Sequence, residues 1–150
     1  MKENFCDGLG ACLGQCPKGA IRIVDSALSH WPVQIRLVPP RAPFLKEAHL
    51  LVAADCTPIV YPRFHQDFLT GKVVMMGCPK FDDVQDYVVR FAQIFKEADI
   101  QKVTILVMEV PCCSGLPLVV KKGMELAGVE MPLEVVVISI EGDILQKRPL

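Results

Sequence analysis

The sequence carries no surplus of charge of either sign. Lysine and arginine together number 16 and aspartate and glutamate 17, which gives a net charge of −1. A protein that binds nucleic acid through its phosphates, or a membrane through a polybasic patch, concentrates basic residues. The charge balance therefore predicts that neither nucleic acid nor a membrane is a partner.

Long hydrophobic runs are also missing. The longest stretch without a charged residue covers residues 110–120, which is too short to cross a bilayer and contains two prolines. The first ten residues, MKENFCDGLG, lack the apolar segment of a secretory signal. Both absences predict a cytoplasmic protein.

Several motifs of ligand binding and catalysis are absent as well. The sequence has no phosphate-binding loop, no G-x-G-x-x-G after a predicted strand and no G-x-S-x-G element. It therefore gives no signature of nucleotide binding or of serine hydrolase chemistry.

Apolar residues are plentiful, at 51% of 150, so a hydrophobic core can form without disulfides or metals. From residue 31 onward, apolar runs of strand length alternate with helical patterns. This alternation predicts an α/β domain over residues 31–150, with a mostly parallel sheet of about five strands and flanking helices. The expected strands cover residues 33–38, 49–54, 72–77, 103–110 and 133–140. The expected helices cover residues 44–48 and 63–69, a long segment capped by Asp82 or Asp83, and a segment from Ser114 to Ala127.

The seven cysteines are many for such a chain, and their number is odd. Without a secretion signal, metal or redox chemistry is favoured over a disulfide framework. Residues 6–17, CDGLGACLGQCP, follow the bacterial ferredoxin run C-x2-C-x2-C-x3-C-P, with Leu9 at the second cysteine position. This predicts a partial iron–sulfur segment over residues 1–28. Cys6, Cys12 and Cys16 would hold a 4Fe-4S or 3Fe-4S cluster, and a four-iron cube would need an outside ligand.

These residues, with the runs WPVQIRLVPPRAPF, AADC, GCPKFDD and MEVPCCSGL, resemble uncharacterised bacterial and archaeal ferredoxin-type proteins that carry a C-terminal α/β domain. Relatives have an upstream ferredoxin half, so the chain looks like a shortened member. The resemblance implies iron–sulfur binding with electron transfer or redox sensing, in an electron carrier rather than a catalyst. The implied partner is a redox protein, the missing ferredoxin half or a second copy in a homodimer.

The other four cysteines each follow the carboxyl end of a predicted strand. Cys56 and Cys78 follow two such strands, and Cys112 and Cys113 follow a third. Because parallel strands end at one edge of a sheet, we expect these thiols to converge on a metal or redox site, with His65 as a further ligand. A helix beginning at Ser114 is expected to favour thiolates at Cys112 and Cys113.

The chemistry of this second site has several interpretations. A cluster, a zinc ion bound by cysteine and histidine in a binding protein or enzyme, and a reversible dithiol are all compatible with the residue types. The elements C-x-D-x-R and H-x-x-C of β-class carbonic anhydrases are absent. Asp55 and Glu109 are candidates for a hydrogen bond to a ligand or for a base. Cysteines with a purely structural role in a binding module are the remaining alternative.

Overall fold

The computed structural model describes residues 28–150, which form one five-stranded sheet with helices packed on it. The strands are β1 (His49–Ala54), β2 (Val73–Gly77), β3 (Lys102–Met108), β4 (Leu133–Ile138) and β5 (Ile144–Pro149). Their order across the sheet is β2-β1-β3-β4-β5. The first four strands are parallel and β5 is antiparallel to β4. The predicted α/β class, with a mostly parallel sheet of about five strands, is confirmed.

The central strands are buried because nearly all of their residues are apolar. Five of the six residues of β1 and six of the seven of β3 are buried. Val52 pairs with Met75 of β2 on one side and with Ile105 of β3 on the other. A strand with neighbours on both sides and layers on both faces needs such a continuous apolar run.

The helical elements lie between the strands. They are α1 (Thr57–Val60), α2 (Val84–Glu97), α3 (Leu116–Ala127), a π-helical turn at His65–Leu69, and 3-10 turns at Pro43–Leu45 and Pro111–Cys113. Asp83 begins α2, because its carboxylate accepts the Gln85 amide at 2.8 Å. Gly128 follows α3 in the left-handed conformation, with φ of 69°, and the helix ends at Ala127 as predicted.

Helices α2 and α3 pack closely against each other. A β-carbon added to Gly123 in α3 would lie 2.6 Å from Cβ of Phe91 in α2. The missing side chain at Gly123 therefore allows the two helices to approach.

Two of the strand predictions need correction. The strand expected at residues 33–38 is reduced to a single bridge between Gln34 and Met76, at the free edge of β2. The strand expected to be the last is followed by β5, whose side chains are all exposed and which therefore lacks the apolar run of a buried strand.

The segment before β1 is held to the sheet by His30. The ring is buried, its Nε2 accepts the Val74 amide at 3.0 Å, and it stacks on Phe44 at 4.5 Å. The predicted iron–sulfur segment over residues 1–28, with Cys6, Cys12 and Cys16, lies outside the described residues except for Leu28. In the part of the chain that the structure describes, no helix has both the length and the apolar character needed to cross a bilayer.

Candidate functional site

The strand order reverses direction between β1 and β3. From β1 the chain continues to β2 on one side, whereas from β3 it continues to β4 on the other. The loops that leave these neighbouring strands diverge, and open α/β sheets place ligand crevices at such a point. Cys56 lies in the loop after β1, and Cys112 and Cys113 lie in the loop after β3.

The loop after β1 is fixed by Thr57. Its buried hydroxyl donates to the Ala54 carbonyl at 2.8 Å and so ties the start of α1 to the end of the strand. The Cys56 carbonyl accepts the amides of Ile59 and Val60 at 3.2 and 3.1 Å. Cys56 is thereby held at the first position before α1, with its side chain exposed.

The loop after β3 is a tight 3-10 turn. The Val110 carbonyl accepts the Cys113 amide at 3.1 Å, and the Pro111 carbonyl accepts the Ser114 hydroxyl at 2.7 Å. Ser114 therefore does not cap α3, which begins at Leu116. The turn leaves Cys112 exposed and directs Cys113 inward, where it is 3% exposed.

Two other thiols contribute to the pKa of Cys113, which is raised to about 11. Burial is the largest cause, and the charges of Cys112 and Cys56 and a hydrogen bond with Cys112 act in the same direction. A hydrogen bond with the Met108 backbone acts in the opposite direction. The expectation that a helix start makes Cys113 a thiolate is wrong. Burial disfavours the thiolate more than the helix dipole favours it, because α3 begins three residues after Cys113.

Cys78 and His65 belong to other loops than the three thiols described above. Cys78 is partly buried after β2, on the far side of β1, and its carbonyl accepts the amides of Phe81 and Asp82 at 3.1 and 3.0 Å. His65 is exposed in the π-helical turn, where its ring packs edge-on against Phe64 at 5.8 Å.

A preformed metal centre is not present among residues 28–150. No three histidine, cysteine, aspartate or glutamate side chains there are arranged to hold a metal ion. Zinc binding, and ligand roles for Cys56, Cys78, Cys112, Cys113 and His65, therefore stay predictions without such a group to support them.

A group formed by the buried Tyr87 and the half-buried Asp82, which the sequence did not reveal, lies beside the Cys78 loop. The Tyr87 hydroxyl donates a short hydrogen bond to Asp82. Burial is the main cause that raises the pKa of Tyr87, and this hydrogen bond adds to it. In the sequence, Tyr87 is indistinguishable from the other apolar residues of its helix. The one signal of its position is Gly77 at the end of β2, whose missing side chain leaves room for the Tyr87 ring.

Asp55 adds a second carboxyl to this group. Its Oδ1 is buried without a hydrogen-bond partner among the described residues. Burial and then the charge of Asp82 raise the pKa of Asp55, whereas a hydrogen bond from Gln34 lowers it. Proximity to Cys56 in sequence suggested this residue, but its uncompensated burial is visible only in the fold.

Glu109 has a structural contact at the same edge. Its Oε1 accepts the Ile140 amide at 2.8 Å and so joins the loop after β3 to the loop after β4. This hydrogen bond stabilises the β3–β4 side of the crevice, whereas Cys56 lies on the β1 side.

Comparison with known proteins agrees with this architecture. A family model described as a Rossmann-like domain matches residues 42–150. A protein of Archaeoglobus fulgidus, described as uncharacterized, is 37% identical over 115 residues, which cover 77% of this chain and 81% of the archaeal protein. No solved structure matches the chain.

The resemblance to ferredoxin-type proteins is wrong. Neither match is described as a ferredoxin or an iron–sulfur protein, and the matched family accounts for nearly all of the described residues. The resemblance depended on short runs of cysteine, glycine and proline, whereas the apolar strands that build the sheet occupy most of the chain. The chain belongs to the Rossmann-like domain family.

Proposed function

We propose that the α/β domain is a two-electron thiol redox module in which Cys56 and Cys113 cycle between dithiol and disulfide. The observation that carries this proposal is the placement of the two cysteines in the loops that follow neighbouring strands β1 and β3, where the strand order reverses. The charge of Cys56 also contributes to the raised pKa of Cys113. Cys56 is exposed and can meet a partner, while Cys113 is buried. One accessible and one protected thiol is the arrangement that sequential disulfide exchange needs.

Covalent geometry favours Cys56 over Cys112 as the disulfide partner of Cys113. Disulfides join residues whose Cα atoms are about 4.4–6.8 Å apart. Adjacent residues across a trans peptide are only about 3.8 Å apart, so a bond between Cys112 and Cys113 strains the backbone. Cys112 instead contributes a hydrogen bond that supports the thiol form of Cys113.

The reaction is an exchange with an oxidised partner that carries a disulfide. The Cys56 thiolate attacks one partner sulfur, and the other partner sulfur leaves as a thiolate. Cys113 then loses its proton and attacks Cys56 Sγ, which closes the internal disulfide and releases the second partner sulfur. Two electrons pass to the partner, and the two protons from Cys56 and Cys113 complete its thiols.

Burial gives Cys113 a specific role in this sequence. Its pKa of about 11 keeps it a neutral thiol until the mixed disulfide has formed next to it. Neutral, buried thiols resist oxidation by peroxide, because oxidation follows thiolate character and exposure. The resolving thiol is thus protected while the exposed thiol waits for a partner.

A redox titration tests this proposal. The chain is equilibrated with graded ratios of reduced and oxidised dithiothreitol under anaerobic conditions, and free thiols are counted by alkylation and mass spectrometry. We expect two thiols to disappear together at one potential. Cys56→Ser and Cys113→Ser should each abolish this transition, whereas Cys78→Ser should leave it in place. A transition that persists in both of the first two variants would contradict the proposal.

Iron–sulfur binding by the amino-terminal cysteines is a second candidate, supported by the spacing of Cys6, Cys12 and Cys16 and the following Pro17. Iron and acid-labile sulfide are counted after anaerobic purification, and the reduced protein is examined by EPR. The triple serine variant of these cysteines should lose the iron and sulfide, and Cys113→Ser should retain them. Equal iron in both variants, or none in the unmodified chain, would rule out this candidate.

A further inference from the structure

Exposed apolar side chains follow the strands at the carboxyl edge of the sheet, the edge at which the thiols also lie. Each of the four parallel strands is followed by one of them: Ile59 after β1, Phe81 after β2, Leu118 in the first turn of α3 and Ile140 after β4. Their exposed fractions are 86%, 91%, 66% and 62%, respectively. Single exposed apolar residues are ordinary, but a set around one crevice marks an interaction surface. We call these four side chains the apolar ring.

The same edge is acidic. The loops directly after the four parallel strands contain one basic residue, Lys80, and six acidic ones. The acidic residues are Asp55, Asp82, Asp83, Glu109, Glu141 and Asp143. One of the six, Asp82, is paired with Arg36 at 3.6 Å. The loops directly before the same four strands carry two basic residues, Lys46 and Lys72, and three acidic ones, Glu47, Asp99 and Glu130, so the larger acidic excess belongs to the carboxyl edge.

We propose that the carboxyl edge is a docking surface for a protein that presents a disulfide within an apolar and basic surface. This inference rests on the thiol redox function proposed above. Disulfide exchange requires the partner sulfur to touch Cys56, so the partner must sit within the apolar ring. The ring then excludes water from the contact, and the acidic loops attract the basic partner and orient it.

Charge separates this occupant from a second copy of the chain. Two copies joined at this edge would place acidic loops against acidic loops, and like charges across an interface are unfavourable. A partner with basic residues around its disulfide meets no such repulsion. The apolar contact and the charge therefore select the same kind of surface.

The charge requirement is tested with two small disulfides of similar size. Cystamine carries two ammonium groups and 3,3′-dithiodipropionate carries two carboxylates. The two disulfides also differ in the pKa of the thiol that leaves, so the ratio of their rates is compared with the ratio measured for a small free thiol. We expect the chain at low ionic strength to favour cystamine at least about tenfold more than the small thiol does, because a cleft of one charge concentrates opposite charge. This extra preference should disappear near 1 M salt, where the screening length is about 3 Å.

The apolar ring is tested with disulfide-linked dimers of two peptides, Lys-Leu-Cys-Leu-Lys and Lys-Ser-Cys-Ser-Lys. The leucine peptide should react faster than the serine peptide. Phe81→Ser and Ile59→Ser should lower this rate ratio several-fold. Leu126→Ser removes an exposed apolar side chain near the end of α3 and serves as the matched control, which should leave the ratio unchanged.

The outcomes separate the two proposals. If no probe produces a disulfide between Cys56 and Cys113, the redox function itself fails. If the disulfide forms but the rate of its formation does not depend on the charge of the probe, on salt or on Phe81→Ser, the redox function stands and the docking surface is overturned. A dimer of the reduced chain in sedimentation that Phe81→Ser dissociates would also overturn it, since a second copy would then cover the edge.

Discussion

The phenolic hydroxyl of Tyr87 occupies the space that a β-carbon on Gly77 would need. Such a carbon would also lie 2.7 Å from Cζ of the Tyr87 ring. Gly77 is the last residue of β2, and the absence of a side chain there lets α2 place its tyrosine against the strand end. The position of Asp82 and of the Cys78 loop follows from this contact.

Replacing Gly77 with alanine should therefore destabilise the fold. The added methyl group displaces the Tyr87 ring and weakens its hydrogen bond to Asp82, and overpacking of this kind costs about 1–3 kcal/mol. Urea denaturation measures the loss. Gly115→Ala is the control, because a β-carbon there meets nothing within 4 Å and φ is −76°. Equal midpoints for the two variants would show that the close approach is unimportant.

Because Oδ1 of Asp55 is buried without a hydrogen-bond partner among the described residues, we expect Asp55→Asn to stabilise the fold in a pH-dependent way. Burial and Asp82 raise the pKa of Asp55 in the folded chain above its ordinary value of 3.8. The folded state therefore binds this proton more tightly than the unfolded state, so wild-type stability is lost as pH rises from about 4 through the raised pKa. Asparagine cannot ionise, so the stability of the Asp55→Asn variant relative to the wild type should increase over this pH interval. A constant difference in unfolding free energy from pH 3.5 to 7 would contradict the assignment.

His30 leads us to expect the opposite dependence of stability on pH. Burial lowers the pKa of His30 below its ordinary value of 6.5, although a hydrogen bond with the Pro32 backbone opposes this. Below pH 6.5 the unfolded state takes up a proton that the folded state resists, so stability falls as pH falls. His30→Gln keeps an acceptor for the Val74 amide and should make the slope between pH 7 and 5 shallower. His49, whose pKa is lowered by burial and by Lys72 and Lys102, should supply the remaining slope.

The three thiols at the crevice should react in a defined order with an alkylating reagent. Cys113 should be labelled last at pH 8, because it is buried and its pKa is raised to about 11. Exposed Cys56 and Cys112 should be labelled first. Peptide mass spectrometry after brief treatment with iodoacetamide gives the order. Early labelling of Cys113 would mean that its thiol is neither buried nor protonated.

Much of the sheet could be predicted because burial on both faces leaves a plain pattern. The limits of β1 match the predicted residues 49–54, since every position of that run except His49 is buried. β5 could not be predicted, because an exposed edge strand such as ILQKRP is held by backbone hydrogen bonds to β4 and needs no apolar side chains. The strand expected at residues 33–38 does not form because the chain turns at Gln34, whose carbonyl accepts the amides of Leu37 and Val38 at 2.9 and 3.1 Å, so only one bridge is made.

The location of the site was easier to predict than its chemistry. Parallel strands share an edge, so the cysteines after them had to lie on one side of the sheet. Strand order then decides which of them are neighbours, and the sequence does not contain that order. The inward turn of Cys113 depends on the 3-10 turn that starts at Pro111, whereas the sequence predicted only a helix that begins after it, at Ser114. Its raised pKa, opposite to the expectation, follows from that turn.

The proposed redox function requires that oxidation of the chain joins two particular cysteines in a disulfide. The reduced full chain is treated with one equivalent of cystamine, the remaining thiols are blocked, and the disulfide is located by mass spectrometry of the unreduced peptides. The account predicts a bond between Cys56 and Cys113, with the Cys112 thiol blocked as free. A bond between Cys112 and Cys113, or full blocking of both Cys56 and Cys113 after oxidation, would contradict it.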